Sequence, residues 1–320
     1  MPDQTFPISK TAESIAPFHV MKLLGEAKSL EAQGKSVIHM EIGEPDFPSL
    51  HCVHQAVTQA ISEGKTHYTP TLGLPELREK LAAFYRDFYH AEVPADRIMI
   101  TPGSSSGLHL LLTALLNPGD KVLMTDPAYP CNRQFVKLLQ GETVSVAVGA
   151  ESNFQLDLDL LTTHWQPGIK LVMVASPSNP TGTLIEQEEL VAMADFLAEK
   201  GAYLLVDEIY QGLVYERPAE SILANPNLPA NVLVINSFSK FFGMTGWRLG
   251  WIVAPEYLMP VLDRLGQNLF LAAPTPSQHG AIRVLEPDAL AQLETRRQIL
   301  EERRNKLYDA MTGAGFRLPS

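Results

Sequence analysis

Val232-Leu233-Val234-Ile235-Asn236 runs straight into Ser237-Phe238-Ser239-Lys240. An unbroken β-branched run of this length, closed by small polar residues, reads as a strand buried on both faces. The same pattern recurs on either side of it. Residues 98–101, 121–125, 143–148, 170–175, 203–206 and 249–253 are runs of the same kind, which predicts seven strands. Amphipathic stretches lie between them, 105–116 and 186–199 among them, and are long enough to serve as crossover helices. The expectation is an α/β fold with a mostly parallel seven-stranded sheet and helices on both of its faces. Residues 20–33 have helical spacing and stop at Gly34. Two helical stretches follow Pro276, the second over 288–311, and residues 315–320 read as the start of a further strand. A smaller α/β domain, incomplete in this chain, is therefore expected beside the large one. The boundaries expected are an amino-terminal arm and part of the small domain over 1–45, a large domain over 46–275, and linking helices with the start of the small domain over 276–320.

The chain has 320 residues, 45% of them hydrophobic, enough to fill the core of an enzyme-sized α/β protein. Lys and Arg number 25 against 36 Asp and Glu, a net charge of −11, which argues against nucleic acid and anionic membrane as partners. Cys52 and Cys131 stand far apart and suggest neither a disulfide framework nor a metal site. No basic start followed by an apolar run opens the sequence, and no long apolar stretch crosses it, so a cytoplasmic protein is expected.

In open parallel sheets, ligands bind beyond the carboxyl ends of the strands. After 98–101 come Pro102-Gly103-Ser104-Ser105-Ser106-Gly107, small residues opening a helix whose free N–H groups and dipole suit a phosphate. After 121–125 comes Tyr129, an aromatic face. After 170–175 comes Ser176-Pro177-Ser178-Asn179-Pro180-Thr181-Gly182, a turn displaying an amide. Residues 203–206 run into Asp207-Glu208-Ile209-Tyr210, and 232–236 into Ser237-Phe238-Ser239-Lys240. A phosphate cradle, an aromatic platform, a carboxylate and a lysine form the set that pyridoxal 5′-phosphate (PLP) requires.

The stretch Ser237-Phe238-Ser239-Lys240-Phe241-Phe242-Gly243-Met244-Thr245-Gly246-Trp247-Arg248-Leu249-Gly250 closely resembles the PLP-lysine signature of class I/II aminotransferases, the aspartate aminotransferase-like enzymes of fold type I. Gly43-Glu44-Pro45-Asp46-Phe47, Tyr68-Thr69-Pro70, Gly73-Leu74-Pro75-Glu76-Leu77-Arg78, Asn179-Pro180-Thr181-Gly182 and Asp207-Glu208-Ile209-Tyr210 resemble further motifs of that family, in its order. The resemblance implies Lys240 as the catalytic lysine that carries the cofactor and Asp207 as the carboxylate facing its ring nitrogen. It implies Asn179 and Tyr210 on the phenolic oxygen, Tyr129 on the ring face, and Gly103, Ser104, Ser105, Ser237 and Arg248 around the phosphate. Tyr68 resembles the tyrosine that reaches the neighbouring subunit's phosphate, which implies a homodimer. Gly43, with Asn179, resembles the substrate-binding pair. The activity implied is transfer of an amino group from an L-amino acid to a 2-oxo acid. The family's carboxyl-terminal arginine for the substrate carboxylate has no counterpart here, so the chain is expected to be a fragment.

Three alternatives stay open on the sequence. Other PLP enzymes of the same fold, such as C–S lyases, share these residues. Gly103-Ser104-Ser105-Ser106-Gly107 also fits the nucleophile elbow of a serine hydrolase, with Ser105 as nucleophile and His164 or His279 as the base. A noncatalytic effector-sensing domain is the third. His51 and His54, three residues apart, read as an ordinary surface helix, and no metal site is expected.

Overall fold

A computed structural model describes residues 6–318. The first five residues of the expected arm and the last two of the expected final strand lie outside the described residues. In chain order the elements open with α1 (Lys10–Ser14), α2 (His19–Ala32), α3 (His51–Ser62) and α4 (Pro75–Tyr89). Strands and helices then alternate: β1 (Ile98–Thr101), α5 (Ser104–Leu115), β2 (Lys121–Asp126), α6 (Pro130–Leu138), β3 (Glu142–Ala147), α7 (Leu158–His164), β4 (Ile169–Ala175), α8 (Gln187–Glu199), β5 (Tyr203–Asp207), β6 (Val232–Ser237) and β7 (Gly250–Val253). The chain continues through α9 (Met259–Leu269), α10 (Thr275–Val284) and the 27-residue α11 (Pro287–Gly313). All seven strands lie within a residue or two of their expected places. Residues 316–318, expected to begin a strand, are irregular.

The sheet order is β1-β7-β6-β5-β4-β2-β3. Strands β2 to β6 run parallel to one another, whereas β7 runs antiparallel to both β1 and β6, making the sheet mixed. Its direction follows from the short link that precedes it, residues 238–249, which contains no crossover helix.

Side chains alternate across a strand, so each strand feeds both faces. Ile98, Ile100, Val172, Val174, Leu204, Val206, Val232, Val234 and Trp251 pack beneath α3, α4, α8 and α10 in one hydrophobic cluster. Met99, Met124, Leu171, Met173, Leu205, Leu233, Ile235 and Ile252 pack on the other face beneath α5 and α9. Two-sided burial explains the unbroken hydrophobic runs of the central strands. The same alternation separates two neighbouring acids at the end of β5. Glu208 is buried and accepts hydrogen bonds from Ser221 Oγ at 3.0 Å and the Ile222 N–H at 2.9 Å. Burial pushes its carboxyl up to about 8, which favours its neutral form.

Gly250 opens β7 where two backbones cross. A Cβ there would lie 2.6 Å from Ser104 N, 2.9 Å from Asn236 O and 3.0 Å from Gly103 C. All three are backbone atoms of a paired sheet and a helix start, so none can yield cheaply. Gly250→Ala is expected to lower stability by about 3 kcal/mol, the upper range for overpacking, read as the midpoint of denaturant unfolding. An unchanged midpoint would show that the α5 amino terminus shifts freely.

Candidate active site

The carboxyl ends of β4, β5 and β6 open on one edge of the sheet, and β7 begins at that edge because it runs the other way. Lys240 follows β6 by three residues. Its Nζ donates to Gly43 O at 2.5 Å and lies 5.6 Å from the centroid of the Tyr210 ring. Burial holds this amine below the usual lysine range, and the Arg248 charge lowers it further, while Glu44 opposes both. Glu44 accepts a hydrogen bond from Thr245 Oγ1, which pins the 43–47 loop to the link before β7. Asp46 anchors the same loop to α11 through Arg303, at 2.8 and 3.0 Å.

Asp207 ends β5. Its carboxylate accepts a hydrogen bond from the Ile209 N–H to Oδ1 at 3.0 Å, and no cation pairs with it among the described residues. Burial pushes its carboxyl up to about 6, against an ordinary value of 3.8. A desolvated acid with no cation is poised for a positively charged ligand group. Tyr210 lies beside it, its hydroxyl raised by burial and by the Asp207 charge. An added Cβ on Gly43 would lie 3.7 Å from the Tyr210 hydroxyl, so the 43–47 loop, β5 and β6 meet here.

Tyr129, at the start of α6, is half-buried. Phe18 approaches it edge-on at 5.7 Å, and burial raises its hydroxyl, with Cys131, Tyr210 and Asp207 adding to the effect. Asn179 projects from the turn after β4 and borders a cavity of about 520 Å³ together with Tyr210, Tyr215, Leu184 and Arg304.

The amino terminus of α5 forms the opposite side. Gly103 takes φ +79°, open to glycine and costly for other residues, and a Cβ there would fall 2.7 Å from Arg248 Nη2. The helix has no side-chain cap, which leaves its first N–H groups available. Arg248 is exposed, sits in the left-handed region at φ +52°, and donates from Nη1 to Thr245 O at 3.1 Å. Ser104 is half-buried and Ser105 exposed in the first turn. Ser237 is buried behind them, and its Oγ bonds Ser239 Oγ at 2.8 Å and Leu249 O at 3.3 Å. Tyr68 lies at the surface, 83% exposed.

The rival serine site does not assemble. Among the described residues no histidine bonds Ser105, and His164 Nδ1 is engaged by Leu160 O at 2.9 Å. His51 and His54 lie on the regular helix α3, where His54 stacks on Trp247 and bonds Ser49. The sequence reading did not single out Glu44 and Thr245, because a hydrogen bond between residues 201 positions apart leaves no local pattern.

The family description "Aminotransferase class I and II" matches residues 35–319. The chain is 37% identical over 309 residues to a (5-formylfuran-3-yl)methyl phosphate transaminase of Methanocaldococcus jannaschii, covering 97% of this chain and 80% of that protein. It is 34% identical to a valine–pyruvate aminotransferase of Mycobacterium tuberculosis, covering 94% and 77% respectively. Among solved structures, an aminotransferase from Mycobacterium tuberculosis superposes with a TM-score of 0.92 at 34% identity, covering 97% of this chain and 80% of that one. Aspartate aminotransferase from Thermus thermophilus with maleate gives 0.91 at 30% identity, covering 98% and 82%. With a matching family description over most of its length, relatives above 30% identity and the same α/β architecture, the chain belongs to the class I and II aminotransferases of PLP fold type I.

Proposed function

We propose that this protein moves an amino group from an L-amino acid to a 2-oxo acid with PLP held on Lys240. The observation that carries the reading is the meeting, at one sheet edge, of an amine held below its usual pKa and a carboxylate that pairs with no cation among the described residues. The family generally uses PLP, and the local chemistry fits it. The α5 amino terminus, Gly103, Ser104, Ser105 and Arg248 suit a phosphate, with Ser237 acting through Ser239. Asp207 suits a protonated ring nitrogen. When bound, PLP supplies an electron sink for charge leaving the substrate Cα.

The protein's own groups do the rest. Asp207 holds the ring-nitrogen proton in place by its charge. Asn179 and Tyr210 donate to the phenolic oxygen, and Tyr129 packs on the ring face. Lys240 Nζ would hold the cofactor and, when not bonded to it, would be the base placed to move the substrate Cα proton. Its lowered pKa keeps a larger share of the amine in the basic form at neutral pH. Gly43 and the Asn179 amide orient the substrate. Tyr68 reaches the neighbouring subunit's phosphate, which makes the active unit a homodimer.

Relatives at 37%, 34% and 30% identity carry names with three different substrates, so likeness at this level does not select the donor. The test is a panel of alanine, aspartate, valine and aromatic amino acids added to the PLP-loaded protein. Release of the matching 2-oxo acid with conversion of the cofactor to its amine form is the expected result, and sedimentation at the same concentration should show a dimer. Release of ammonia and pyruvate from a β-substituted amino acid, with no amine form, would establish a lyase instead.

A further inference from the structure

The turn that carries Asn179 has no helix or strand to stiffen it, since residues 176–186 are irregular or turns. Its internal bonds include the Ser178 N–H to Thr183 O at 2.9 Å, the Gly182 N–H to Ser178 O at 2.9 Å and the Thr181 and Thr183 hydroxyls at 2.8 Å. Two side chains span its neck: Ser176 Oγ accepts from the Ile185 N–H at 3.0 Å, and Gln155 bridges the point where the chain leaves β4 at Ala175 and returns at Thr183. Nε2 of Gln155 donates to Ala175 O at 3.0 Å and to Thr183 O at 2.7 Å. A glutamine amide has two N–H hydrogens, so both are committed across this gap. Gln155 is only 5% exposed, and Thr183 is buried as well, so solvent cannot readily replace these bonds.

The backbone leading to Gln155 adds a second observation. Asn153 and Phe154 both sit at φ +52°, a left-handed conformation that two successive L-residues seldom adopt. The Phe154 N–H to Gly149 O at 2.7 Å and the Gln155 N–H to Ser152 O at 3.0 Å hold them there. Backbone of this kind persists where the surroundings over-determine it, and here it delivers one buried amide to one neck. Gln211 fixes the base of the turn separately, its Nε2 donating to Ser176 O at 3.0 Å.

We propose that Gln155 is a positioning residue for Asn179, setting the width of the turn at which the Asn179 amide meets its ligand. The inference rests on the reading of Asn179 as a donor to the cofactor's phenolic oxygen. Gln155 touches neither cofactor nor substrate and acts only through the two carbonyls it bridges.

The test uses wild type, Gln155→Met, Asn179→Ala and the double variant. Two quantities are read: the spectroscopic pKa of the visible band of the PLP-loaded protein, and amide hydrogen exchange at Ser178 and Gly182 in the PLP-free protein. Methionine keeps the volume and removes both donors. Gln155→Met is expected to speed exchange at both amides by about 10-fold or more and to move the spectroscopic pKa in the same direction as Asn179→Ala. The double variant is expected to move it no further than Asn179→Ala alone. Should Gln155→Met fail to fold, Gln155→Glu, which donates only while protonated, carries the same readings. A spectroscopic pKa unchanged in the Gln155 variant but moved in Asn179→Ala would overturn the positioning role alone, as would shifts that add in the double variant. An Asn179→Ala protein with the wild-type value overturns the site reading, and the proposal with it.

Discussion

Lys240→Ala is expected to abolish transamination, with a loss of at least about 10⁴-fold, because one substitution removes both the cofactor's covalent anchor and the group that moves the Cα proton. The two roles can be separated. Without the anchor, PLP would bind through Asp207, Arg248 and the α5 amino terminus alone, so the lysine-dependent visible band should vanish while some affinity for PLP persists. An added small primary amine should restore part of the proton transfer, since Nζ is required as a base and not for its tether. The half-buried side chain is part of no hydrophobic cluster, and among the described residues its hydrogen bond is to the Gly43 carbonyl, so folding should be intact. A variant retaining the visible band and a rate within 10-fold of wild type would remove Lys240 from the mechanism.

Asp207→Asn carries the second large effect, and it acts in opposite directions on stability and on rate. The carboxyl rises to about 6 in the folded protein from an ordinary 3.8, so the folded state binds this proton more tightly than the unfolded chain does. Between those two values a rise in pH costs stability, and above about 6 the whole penalty is present. Asparagine removes it. The PLP-free Asp207→Asn protein is expected to be more stable than wild type at pH 7 by on the order of 2–3 kcal/mol, with the difference fading below about pH 4. Catalysis moves the other way. Without a carboxylate the ring nitrogen is no longer held protonated, and kcat is expected to fall by about 10²- to 10³-fold, the scale for losing one preorganised electrostatic partner. PLP should also stabilise wild type more than the variant. Equal unfolding midpoints for the two PLP-free proteins at pH 7 would show that Asp207 meets a cation after all.

The sequence was most informative where the fold is most regular. Central strands buried on both faces are continuous apolar runs, and the edge strand β3 shows as the alternation Thr143-Val144-Ser145-Val146, so all seven were visible, and the residue just past each central run came with its place at the sheet edge. That is how Lys240, Asp207, Asn179 and the Gly103-Ser104 step were found. What stayed hidden depends on the path of the chain in space. Strand β7 has the composition of its neighbours, and only the lack of a helix in the preceding link marks its reversal. The Gln155 bridge was missed because a polar residue in a loop has no periodicity, and its two partners lie 20 and 28 positions away. The buried state of Glu208 follows from strand alternation, but its ties to Ser221 and Ile222 do not.

The reversal of β7 places both ends of the segment from Ser237 to Gly250 at the same edge of the sheet. The amine of Lys240 and the guanidinium of Arg248 are therefore carried by a single stretch of chain, eight residues apart, although in the proposed function they would serve different ends of one ligand. The length of that ligand is in effect recorded in one segment. Exchange of this segment between relatives by recombination would transfer the measure whole, whereas an insertion within it would change the measure while leaving every strand paired.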